Sequence, residues 1–143
     1  MISVCPHQSA RVLMTRDMDL IRKIVLEIEA RKGVEPRPVT IEGVDSAVLL
    51  RHLEMMHRAG LLEAQVFYSH RADNLPDIMD VTDLSWEGHD FAAVVKNENI
   101  WGKMKAAFPA AELAGMPLSV IKDVGIALLK DWAKTRLGIG SQP

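Results

Sequence analysis

The chain has 143 residues, 48% of them hydrophobic and 25% charged, a balance that fits one folded domain or one domain with an appendage. A formal net charge of −2 excludes a strongly basic nucleic-acid binder on bulk charge and leaves room only for a local patch. The single cysteine, Cys5, excludes an internal disulfide and a cysteine-rich zinc site, and no apolar run approaches the ~20 residues that span a bilayer. A cytoplasmic protein without a membrane segment is the expectation.

Residues 1–13 show no period and no signal-peptide pattern, so they are expected to form a disordered leader. Cys5 and His7 are too few ligands for a metal site. A helix follows, capped by Thr15 or Asp17 and running to about Lys32, with Met18, Ile21, Ile24, Val25 and Ile28 on one stripe. Gly33 stops it. Pro36 and Pro38 then forbid helix, and Pro38–Ile41 reads as a short edge strand.

A second helix runs from about Asp45 to Ala59, closed by Gly60. Leu49, Leu53 and Met56 form its inner stripe, and Ser46, Leu50, Arg51, Glu54, His57 and Arg58 fall on its outer faces. The period changes to two at Glu63–Tyr68, and a return strand runs from Ile78 to about Leu84, which together predict a hairpin with a loop of several residues. Ser85 caps a third helix carrying Trp86, Phe91, Val94 and Val95; in this reading Trp86 fills the joint with the hairpin and Gly88 permits close packing. Burial of that ring predicts a loss of ~3–5 kcal/mol for Trp86→Ala. Lys96–Asn99 breaks the helix, and Ile100, Trp101, Met104 and Phe108 define another, stopped by Pro109. Residues 109–117 read as a loop. The last helix, from about Pro117 to Leu137, carries more apolar residues than one face needs, which predicts burial between layers or between two subunits.

This order of elements predicts an α+β fold, a winged-helix-like variant of the winged helix-turn-helix, over residues 14–96. Residues 97–143 form a helical C-terminal extension that packs on the domain or makes a homodimer interface. The segment between Gly33 and Val44 is too short and proline-rich for an ordinary middle helix, which weakens the case for standard major-groove docking.

The segment from Met14 to Ile24, with Arg16-Asp17-Met18-Asp19-Leu20-Ile21-Arg22 at its centre, resembles the opening of a family of small bacterial, phage and prophage proteins classed as a domain of unknown function. Ala59–Ala64, Leu84–Phe91 with its Trp86-Glu87-Gly88-His89, and Asn99–Lys105 fit the same family, and the resemblance covers about residues 14–132. It implies a winged-helix-like fold and a mobile-element context, and no catalytic residue, substrate or cofactor.

The expected activity is therefore binding, first as a phage- or prophage-associated DNA-binding regulatory or accessory protein, with a protein-interaction module that binds a host or phage protein as the alternative. Ser46, Leu50, Arg51, His57 and Arg58 on the second helix, with His70 and Arg71 at the hairpin tip, are the candidate contacts to DNA or to a host or phage protein. Asp73, Asp77 and Asp80 crowd the hairpin and disfavour phosphate, so DNA binding would be weak. The histidines are scattered, no nucleophile stands beside Glu87 and His89, and no phosphate-loop, dinucleotide or zinc-protease motif occurs, so neither an enzyme nor a cofactor or metal is expected.

Overall fold

The computed structural model describes residues 15–33, 35–68 and 76–138. The expected leader, His70, Arg71, Asp73 and most of the C-terminal tail lie outside these residues. Asp17 opens helix α1 (Met18–Glu29) by accepting the N–H groups of Asp19 and Leu20. The predicted stripe, together with Leu20, is buried. The helix ends three residues earlier than expected.

The chain then crosses to the hairpin without forming a helix among its described residues. Arg37 makes a single antiparallel bridge to Val81, exchanging both main-chain hydrogen bonds. The expected Pro38–Ile41 strand is not formed. Arg37 and Val81 form a hydrogen-bonded pair, so the next bonds of the ladder would fall two residues away at Glu35 and Val39, and neither joins β2; the nitrogens of Pro36 and Pro38 face away from β2, where a missing N–H is tolerated. Arg31, two residues past the end of α1, fixes this crossing by donating to the carbonyls of Val81 and Pro38 at 2.6 and 2.7 Å.

Helix α2 (Ser46–Arg58) is capped by Asp45, whose carboxylate accepts from Ala47 and Val48. Gly60 leaves it at φ +80°, the left-handed conformation that favours glycine, and Leu61 turns inward. Strands β1 (Leu62–Phe67) and β2 (Ile78–Leu84) pair antiparallel. A bulge at Thr82 keeps the two faces in phase: Leu62 meets Leu84 inside, while Glu63 meets Asp83 and Gln65 meets Asp80 outside.

Helix α3 (Trp86–Val95) starts from Ser85, which accepts from the Gly88 N–H and donates to the Gly60 carbonyl. Asn97 caps α4 (Glu98–Ala107). The region expected to be a loop contains a short helix, α5 (Ala110–Gly115), because Pro109 opens a turn whose carbonyl accepts from Glu112 and Leu113. Helix α6 (Leu118–Leu137) buries Leu118, Ile121 and Gly125 and ends at Gly138. The described residues thus form a mixed α+β fold of six helices and one two-stranded sheet.

One core serves all of it. Ile21, Ile24 and Val25 of α1, Met56 of α2, Val81 of β2, Phe91 and Val94 of α3, Met104 of α4 and Ile121 of α6 are fully buried in the same cluster. Polar ties reinforce it: Arg22 donates to the Val95 carbonyl at 2.6 Å, and Lys105 pairs with Asp19 at 3.0 Å.

Trp86 does not fill the joint. It is 83% exposed. The inward face of α3 is defined by Gly88, Phe91, Ala92 and Val95, and a residue two positions before Gly88 lies about 200° around the helix from it. The large loss predicted from a buried ring therefore does not apply. Trp86→Ala is expected to change stability by no more than about 0.5 kcal/mol, measured by urea unfolding.

Candidate binding surface

Glu54 is the unexpected centre of α2. Placed on the outer face by the sequence pattern, it is only 2% exposed. Its carboxylate lies 3.0 Å from Arg51 Nη1 and is also paired with Arg58. The spacings of three and four residues bring both guanidinium groups over one carboxylate. Burial is achieved because two cations and their aliphatic stems neutralise and screen the acid.

His52 is fully buried. Its Nε2 accepts from the Asp17 N–H at 2.8 Å, and its Nδ1 donates to the Val48 carbonyl at 2.8 Å. A backbone N–H can only donate and a carbonyl can only accept, so the ring is neutral with its proton on Nδ1. Both nitrogens are spent in joining the start of α1 to α2, and neither is available to a metal.

The expected contact residues on α2 are divided by these interactions. Ser46 is exposed at the first position of the helix. Leu50 is half-buried and packs against the core, rather than standing free as expected. Arg51 and His57 are half-buried, and Arg58 is exposed. Arg51 and Arg58 come together on Glu54. His70 and Arg71 lie outside the described residues. On the hairpin, Glu63, Asp80 and Asp83 share the outward face, and His89 Nε2 lies 3.6 Å from Asp83. Beyond them Phe67 and Ile78, paired across the strands, are each about half exposed, and Tyr68 follows them.

A family model described as a hypothetical protein (DUF2513) matches residues 15–114. The chain belongs to this family. The DUF2513 match includes α1 through nearly all of α5 and stops before α6. A protein of Haemophilus influenzae described as an uncharacterized protein is 28% identical over 118 residues, covering 81% of this chain and 96% of that one. No solved structure matches.

Within this DUF2513 chain, sequence reasoning missed two participants. Arg16 is half-buried just before α1 and donates to the carbonyls of Leu113 and Met116. Lys122 is half-buried near the start of α6. Neither carries a local signal, since their surroundings are built from segments about a hundred residues apart. Burial pushes the Arg16 guanidinium below its ordinary pKa.

Proposed function

We propose that this chain is a non-enzymatic binding module whose partner is a protein rather than duplex DNA. The observation that carries this reading is the charge arrangement around α2 and the hairpin. Arg51 and Arg58, the cations best placed for phosphate, already neutralise buried Glu54. Glu63, Asp80 and Asp83 make the outward face of the hairpin acidic. A DNA backbone brought to this surface would meet one net positive charge on α2 against three carboxylates on the hairpin, so repulsion outweighs attraction.

Trp86 adds the anchor. It is 83% exposed on the first turn of α3, a rigid amphipathic ring of the kind that dominates protein interfaces. The order of helix, bridging segment, helix and hairpin is winged-helix-like, and that scaffold is used for both DNA and protein recognition. In a phage or prophage setting the partner would be a host or phage protein. A homodimer through α6 is compatible with this reading, since Leu128, Leu129 and Trp132 are only partly buried. Neither cofactor nor metal is required.

DNA, the leading expectation from the sequence, becomes the second reading, favoured by the winged-helix-like order and by the exposure left on Arg58. The test combines two measurements. Fluorescence anisotropy with a random duplex at two salt concentrations is expected to show no salt-sensitive binding; such binding would overturn the protein reading. Capture of one cellular protein by the wild type, lost in a Trp86→Ala variant of unchanged Tm, is the expected positive result.

A further inference from the structure

A cavity of about 460 Å³, within the ~300–1,000 Å³ range of ligand sites, lies where the end of α2, the entry to the hairpin and the first turns of α3 and α6 meet. Among the described residues Arg16, Arg58 and Lys122 line it, against a single acid, Glu87. Arg58 is committed to Glu54. Among the described residues no carboxylate pairs with Arg16 or Lys122.

The cavity also receives the start of α6, and among the described residues no side chain caps that helix's first turn. The positive end of a 20-residue helix thus adds to two cations without a carboxylate partner among the described residues, Arg16 being held by the carbonyls of Leu113 and Met116. Leu61 and Leu118 supply apolar wall. A second cavity that Arg16 lines, of about 340 Å³, differs in charge: there Lys105 is paired with Asp19, and Asp17 adds a second acid.

The geometry points to a binding site for a carboxylate carried on an apolar body, its head between Arg16, Lys122 and the start of α6 and its body on Leu61 and Leu118. The lowered Arg16 pKa is consistent with a cation that an incoming anion would compensate. The same chemistry could arrive as a free small carboxylate or as an acidic residue beside an apolar one in a peptide. The site does not depend on the protein-partner reading.

The test is amide chemical-shift mapping of the full chain with octanoate, and with octanol as the neutral control. Octanoate is expected to shift Leu118, Ser119 and Lys122 with a Kd at or below about 1 mM. Octanol is expected to bind about tenfold more weakly, the loss that follows from removing a charge-assisted contact. Two variants spare the Arg16 tie. Lys122→Gln should weaken octanoate about tenfold. Ser119→Glu should abolish binding while keeping the helix intact, because an acid in the first turn suits its dipole. A short peptide alternating leucine and glutamate separates the sources: Lys122-dependent binding tighter than octanoate assigns the site to a peptide, and weaker binding assigns it to a free carboxylate. Equal binding of octanol and octanoate, no shift at the three amides, or octanoate affinity unchanged in both variants would overturn the proposal.

Discussion

Replacing Gly88 by alanine is expected to cost about 3 kcal/mol or more, at the upper end of what overpacking does. The added Cβ would stand 2.0 Å from the Leu61 carbonyl oxygen, where ordinary contact begins at 3.4 Å. That oxygen is part of the backbone and already accepts from the Ser85 N–H at 2.9 Å. It cannot retreat without opening the joint between the hairpin and α3. Gly125 is a second contact of this kind. A Cβ there would lie 2.1 Å from Val94 Cγ1, 2.9 Å from its Cγ2 and 3.0 Å from its Cβ, and this fully buried β-branched side chain cannot rotate its Cβ away, so Gly125→Ala is expected to lose about 3 kcal/mol as α3 and α6 are pushed apart. Urea midpoints of the two variants measure both losses. A wild-type midpoint for Gly88→Ala would show that the joint is not closed at this position.

The double variant Arg51→Ala/Arg58→Ala is expected to lose about 3 kcal/mol, because it strands a buried carboxylate. The figure sits at the low end for a broken buried pair, since Arg51 and Arg58 are themselves 39% and 67% exposed and partly solvated. Adding Glu54→Gln should recover most of the loss, since the neutral amide has far less charge to desolvate. Thermal unfolding of the wild type, the Glu54→Gln variant, the double variant and the triple variant tests this as a cycle. A double variant as stable as wild type would show that Glu54 finds water once its partners are gone. The same pair cannot by itself test DNA binding, because lost affinity would be confounded with lost fold. The triple variant removes both arginines without leaving the charge behind.

Much of the local structure was legible because its causes are local. Asp17, Asp45 and Ser85 cap their helices through side-chain oxygens aimed two or three residues ahead. Gly60 takes the left-handed conformation expected after α2, and the shift to period two announced the hairpin. Other assignments failed where periodicity was too short to be informative. Trp86 is a single large apolar residue at a helix start, and size alone suggested burial. Only the phase set by Gly88, Phe91 and Val95 puts it outside. Residues 110–115 have the composition of a connection, yet a short six-residue helix forms there with Leu113 buried against the core.

The candidate surface was only half visible. Arg51, Arg58 and the acid between them could be read at helical spacing, but not that Glu54 is withdrawn from water and holds both cations.

The sequence by itself determined the order of elements, most of their caps and the inner stripes, since these follow from contacts within a few residues and from helical and strand periods. Only the tertiary structure decided which polar groups are buried and which large apolar ones are not. It set His52 between two backbone partners 35 and 4 residues away, and brought Arg16 against carbonyls 97 and 100 residues away. The physical reason is that burial belongs to the packing of distant segments, whose mutual orientation no single stretch of chain encodes.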